Sequence, residues 1–302
     1  MKYKNLLLGV VIALALYLFT AFQEKTLLPD NAFVFTLVTF VYLTAGIIYL
    51  IHWIFNWERG ALIGSAIGWG GFVANLYGFF LRWIQTYQTG FGYVPLSNLY
   101  ESLVFFGLAL AGFYLFWELR LDKKIFGSLV FILASLVMAF ANFKADSSIK
   151  PLIPALKSNW LIAHVITCFL GYASFGVAFV VGFFYLLANK PSVQRYLPSK
   201  PVLDNFMYKS ILFGFFWLSI GIITGAIWAD QAWGNYWSWD PKETWSLITW
   251  LIYAGAIHAR LIRGWQGNKI AWISLLGFVA VLFTYFGVNF LLSGLHSYGG
   301  LS

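Results

Sequence analysis

Nine stretches of this chain are apolar for long enough to cross a lipid bilayer, and no other feature narrows its fold so far. They run roughly over 5–22, 32–55, 61–84, 100–117, 125–143, 160–187, 204–228, 241–263 and 270–292. About 18 apolar residues suffice to carry a helix through a ~30 Å hydrocarbon core. There, every backbone N–H and C=O must be satisfied within the chain, which leaves helices or closed barrels. The period-2 alternation of barrel strands is missing. The expected fold is therefore all-α, a polytopic transmembrane bundle of about nine spans, with eight as the alternative. Charged residues make up only 10% of the chain, against ~25% in a soluble domain. No connection is long enough for a soluble domain, so 1–302 reads as a single membrane domain. The connection 188–203, with Pro191, Pro198 and Pro201, reads as a loop. Lys2 and Lys4 before the first apolar run imitate a signal peptide, but the run is long and has no small-residue cleavage site, so it reads as a helix.

The net charge of +8 follows topology rather than nucleic acid. With the N-terminus cytoplasmic, thirteen of the nineteen Lys and Arg residues fall inside; Lys25, Arg82, Lys144, Lys150, Lys157 and Lys242 fall outside. That asymmetry is the positive-inside bias. The C-terminus is then expected on the outer side. A lone cysteine, Cys168, excludes an internal disulfide or CxxC redox pair and reads as inert packing. No Walker-type phosphate loop occurs.

The most informative stretch is WADQAWGNYWSWDPKETWSLITW, 228–250, which holds six of the fifteen tryptophans. Trp favours membrane interfaces, but that preference accounts for two or three of them, not for a crowd beside Gly234. Trp228, Trp233, Trp237 and Trp239 with a glycine among them form a flat π-surface that a planar, largely apolar ligand would suit. Asp240-Pro241-Lys242-Glu243 has the pattern of a helix start, with Asp240 as cap, Pro first and Glu three residues after the cap. The eighth span is thus expected to begin near Pro241 at the outer surface. His258 lies roughly 25 Å further along it, toward the inner side.

The chain has four histidines. His164, early in the sixth span, and His296, after the ninth, share the outer side with the tryptophans. Two neutral imidazoles from different helices are a standard axial pair for haem iron, whereas zinc would need further ligands. His52, beside Trp53 and near Arg59, reads as an interfacial helix-end residue.

These residues resemble a known family. WGNYWSWDPKETW (233–245) is similar to the "WWD" signature of haem-handling membrane proteins, and its PKE ending to the CcsA (ResC) branch of system II cytochrome c maturation. GYVPLSNLYESL (92–103), PLIPALKSNWLIAH (151–164), YAGAIHAR (253–260) and GLHSYG (294–299) agree, so the resemblance covers about 82–302, the expected haem-handling core.

The resemblance implies that His164 and His296 are outer-face ligands of haem b, and that His258 is a membrane-embedded ligand completed by a separate CcsB (ResB)-like protein. The implied activity is that of a cytochrome c synthetase acting with that partner. Haem would pass from His258 to the outer site, where the thiols of an apocytochrome c CxxCH segment add to its vinyl groups. Trp228, Trp233, Gly234, Trp237, Trp239 and Asp240 form the candidate cofactor-binding stretch, with Asp240 also the helix cap. Arg82 would either pair with a propionate or snorkel to the interface, and Lys242 would either do the former or point into solvent. The membrane would be the bacterial cytoplasmic membrane or, for a plastid chain, the thylakoid. The competing functions are a haem exporter or chaperone that forms no thioether, and a b-type redox protein.

Overall fold

A computed structural model describes residues 4–24, 28–194, 196–292 and 294–295. Among them the regular structure is helical. The chain forms two compact units, Met1–Pro151 and Leu152–Gly300. Eight helices among the described residues are long and apolar enough to cross a membrane, and the chain is an integral membrane protein.

The first unit holds α1 (Lys4–Glu24), α2 (Asn31–Phe55), α3 (Glu58–Gln88), α4 (Leu99–Glu118) and α5 (Gly127–Lys144). Helix α3 is the long helix outside the eight. Its glycines and polar residues lower its hydropathy, and the same glycines let aromatic rings sit against its backbone. Tyr49 packs on Gly64, Phe131 on Gly68, Tyr42 on Gly71 and Phe35 on Gly78. Small residues bring membrane helices close where water supplies no hydrophobic drive.

Two buried acids anchor this unit. Glu118 accepts hydrogen bonds from Tyr49, from Ser65 at 2.7 Å and from Tyr114 at 3.3 Å, with Lys124 at 3.7 Å. Glu101 pairs with Arg82 at 2.9 Å and accepts from Ser97 N–H and Oγ. Arg82 also donates to Asn31 Oδ1, Ser147 O and Ser148 O, and lies over the Tyr100 ring. A guanidinium 1% exposed neither snorkels nor presents its donors outward. Both readings of Arg82 from sequence give way to an internal ion pair, formed because an unpaired charge in this setting is too costly. The Ser147–Ser148 turn is held in place by Asp146, which accepts from Ser148 N–H and Oγ and pairs with Lys150 at 2.6 Å. His52 closes the α2–α3 turn, its Nδ1 2.8 Å from Trp57 O, as a helix-end residue should.

The second unit holds α6 (Asn159–Leu187), the one-turn α7 (Pro191–Gln194), α8 (Lys200–Trp233), α9 (Pro241–Arg263), α10 (Asn268–Leu282) and α11 (Val288–Leu291). The 188–203 connection thus contains a helical turn rather than plain loop. A π-turn, Phe283–Gly287, joins α10 to α11, so the ninth segment is one rod with a widened turn. Helices α6 and α8 meet along small residues: Gly171 faces Gly214 and Leu218, Gly214 faces Phe175, and Gly221 faces Cys168. Ser174 donates to Ser210 O at 2.6 Å across the same seam.

Candidate functional site

At the tryptophan-rich end of the second unit, α8 runs on through Trp233 before it stops. The sequence ends the seventh span near Trp228, whereas the helix continues through Trp233. Nothing in 217–233 breaks a helix, and termination waits for Gly234, whose φ of 78° is the left-handed cap conformation open to glycine at little cost. A Cβ at Gly234 would meet nothing within 4 Å. The glycine's freedom from a Cβ serves the cap.

Trp228 donates Nε1–H to Ala155 O at 2.8 Å, fixing its ring. Trp233 meets it edge-on at 4.9 Å between centroids, and the His164 ring lies parallel to it at 6.0 Å and 18°. His164 Nδ1 is 2.7 Å from Gly221 O, so the Nδ1–H donates to that carbonyl and the lone pair belongs to Nε2. A hydrogen bond from the far ring nitrogen to a carbonyl is how metal-ligating imidazoles are oriented and made more basic. The fit depends on Gly225, where a Cβ would stand 2.5 Å from His164 Nδ1. Cys168, one turn on from His164, places Sγ 3.6 Å from the same nitrogen. Gly221 and Gly225 were not singled out in the sequence, although Gly221-Ile-Ile-Thr-Gly225 carries the GxxxG spacing of close helix pairs.

Beyond Gly234, the loop ends in the predicted helix start. Asp240 caps α9, accepting from Lys242 N–H at 3.0 Å, while Glu243 reaches back to Asp240 N–H at 3.2 Å and Ser238 N–H at 2.8 Å. Trp239 is held between them at φ 59°, a conformation that costs a bulky residue roughly 1–2 kcal/mol. It stands edge-on to Trp237 at 5.7 Å and is 68% exposed. Trp237 Nε1 is buried without a protein partner among the described residues.

Asp240 also accepts from Leu295 N–H at 2.6 Å, tying the chain just before His296 to this helix start. His296 itself lies outside the described residues. Lys242 donates to Asn289 Oδ1 at 2.9 Å and approaches the Tyr285 ring instead of pointing into solvent. Tyr285 in turn packs on Phe169 of α6, so α6, α9 and the last helical rod converge here.

His258 lies elsewhere, on the exposed face of α9 with Leu251, Gly255 and Ile262 at spacings of four and three. An imidazole on an apolar helix face is expensive in hydrocarbon. No group of three or more His, Cys, Asp or Glu among the described residues forms a metal site.

The site is thus a tryptophan-faced imidazole at one end of a unit built from membrane-length helices. A family model described as cytochrome C assembly protein matches residues 96–296, more than half of the chain. The chain belongs to that family, and within it to the CcsA group. A relative named cytochrome c biogenesis protein CcsA from Trieres chinensis is 38% identical over 296 residues, covering 83% of this chain and 93% of the relative. Its counterpart from Guillardia theta is 41% identical over 248 residues, covering 73% and 80%. Among solved structures, one described as cytochrome c heme lyase CcmF has a TM-score of 0.65 at 19% identity over 88% of this chain. The chain spans 47% of that protein's length, and the likeness is one of fold.

Proposed function

We propose that the chain binds haem at the tryptophan-rich end of its second unit and presents it to apocytochrome c for covalent attachment. The observation that carries the reading is the Nδ1–H bond of His164 to Gly221 O beside the Trp228 ring, which selects the tautomer whose lone pair, on Nε2, is the one that ligates iron. His296, next after the residue whose amide Asp240 holds, is assigned as the second axial ligand on the family resemblance. Exposed Tyr236 and Trp239 offer aromatic surface to the porphyrin edge or the incoming polypeptide.

Each thiol of a CxxCH segment would add across a vinyl group, sulfur bonding to one carbon and its proton going to the other, so that no oxidant is consumed. The chain's own contribution is placement, which can lower such a barrier by several kcal/mol. His258 and its exposed face are assigned to a second haem position, closed by a CcsB-like membrane partner. The N-terminus is assigned to the cytoplasmic side of a bacterial membrane, or to the corresponding side of a thylakoid.

The test is haem content. Purified His164→Ala is expected to lose most of the haem absorbance of the wild type and to regain it with added imidazole, whereas His52→Ala retains it. Equal haem in wild type and His164→Ala would sink the proposal. Co-expression with a CcsB-like partner and a CxxCH acceptor should yield haem that survives denaturing gels. Haem that leaves the acceptor on denaturation would reduce the activity to chaperoning.

A further inference from the structure

At the other end of the second unit, the C-terminal ends of α6 and α9 and the N-terminal ends of α8 and α10 border an open cavity of about 560 Å³. Its charged walls are Lys200, Asp204, Arg260 and Lys269, an excess of two positive charges. Asp204 is already committed: one oxygen takes Arg260 Nη2 at 2.6 Å and the other takes Gly267 N–H at 2.7 Å. Arg260 Nη1 is buried with no protein partner among the described residues, and its side chain is only 14% exposed. Helix α8 begins here with no acidic residue in its first turn and no side-chain cap, so its positive dipole end adds to the field. Beside Asp204, the wall presents the donors Lys200, Arg260, Lys269 and the side-chain amide of Asn205, Lys200 also donating to Asn189 Oδ1 at 2.8 Å. This chemistry selects an oxyanion, and a guanidinium flanked by two ammonium groups suits phosphate.

What lies beside the cavity narrows the source of that phosphate. From the wall residues Asn268 and Lys269, α10 continues with Trp272, Leu276 and Val279, exposed by 57%, 63% and 58%. Spacings of three and four keep them on one helix face. That face gives an apolar track roughly 15 Å long leading from the cationic cavity along a membrane-spanning helix. We infer that the cavity is a site for an anionic phospholipid, its phosphate among Lys200, Arg260 and Lys269 and its acyl chains on the Trp272–Val279 face. Basic pockets between membrane helices bind such head groups elsewhere. The site owes nothing to the haem reading, since Arg260 is two residues from His258 and therefore on nearly the opposite side of α9.

The full chain, purified in neutral detergent, is titrated with phosphatidylglycerol and with phosphatidylcholine of the same acyl chains, and adducts are counted by native mass spectrometry. One saturable phosphatidylglycerol adduct is expected, bound at least tenfold more tightly than phosphatidylcholine. Removing one lysine should weaken it about fivefold, and removing both about thirtyfold. Lys269 is exposed, so Lys269→Gln is the variant that cannot fail through misfolding; Lys200→Gln adds to it if a thermal melt shows it folded. Equal binding of the two lipids, or an unchanged adduct in Lys269→Gln, overturns the inference. So does complete displacement by millimolar inorganic phosphate, which would make the cavity a site for soluble phosphate.

Discussion

Replacing Gly225 by alanine separates the ligand geometry of His164 from the stability of the fold. The new Cβ would stand 2.5 Å from Nδ1 and 2.7 Å from Cε1 of His164, about 1 Å inside ordinary carbon contact. The seam between α6 and α8 cannot widen cheaply, because Gly171, Gly214 and Gly221 already touch the facing helix. The imidazole must therefore turn and give up its bond to Gly221 O, a net loss of roughly 0.5–1.5 kcal/mol. Against this, alanine in a helix gains about 0.5–1 kcal/mol over glycine, so the thermal midpoint should hardly move. Haem affinity has no such offset. Loss of a partner that orients a ligand typically costs 10- to 100-fold in metal affinity, or about 1.4–2.7 kcal/mol. Titration of haem into purified Gly225→Ala, followed by Soret absorbance, should show that weakening, and imidazole should restore the band. Wild-type affinity in a folded variant would refute the assignment of His164 Nε2 to iron.

Other perturbations read other parts of the molecule. Arg82→Ala leaves the Glu101 carboxylate buried beside a void, and should cost about 3–5 kcal/mol in a denaturant or thermal unfolding experiment. His258→Ala, on an exposed face, should stay within about 0.5 kcal/mol of wild type; similar losses in the two variants would contradict the burial described. Asp240→Ala removes a helix cap worth about 1 kcal/mol and the acceptor of Leu295 N–H. It should speed hydrogen exchange in the first turn of α9, and unchanged exchange there would deny the cap its role.

Asp146 is held below the usual carboxylate range by the hydrogen bond from Lys150 and then by those from Ser148. A depressed carboxylate stabilises the folded state above its unfolded pKa, about 3.9, and that contribution fades as pH falls through the folded value. Asp146→Asn should therefore melt below the wild type near pH 6, with the gap closing in acid. A gap independent of pH would refute this.

The helical membrane fold was legible because hydrocarbon permits little else. The α9 start was legible because Asp-Pro-Lys-Glu carries its own capping chemistry. His164 could be picked out because imidazoles are rare in such segments. Its support could not, because a backbone carbonyl at Gly221 and an absent Cβ at Gly225 leave only a GxxxG spacing among many glycines. Arg82 misled for a related reason. Its partners Glu101, Asn31, Ser147 and Ser148 come from three separate stretches, and no local pattern announces that a guanidinium will be fully engaged. The extra helical turn through Trp233 was not legible because tryptophan says nothing about helix ends; the stop signal is the single glycine at 234.

The length of α8 has its own bearing on how the protein works. Thirty-four helical residues make a post of about 51 Å, well beyond a ~30 Å hydrocarbon slab. Trp228 and Trp233 ride on that post, and the glycine seam clamps it to the helix that bears His164. A thicker or thinner bilayer would slide along the pair without changing the spacing between indole and imidazole. The distance between indole and imidazole at that end is thus set by the helix pair and not by the thickness of the slab around it.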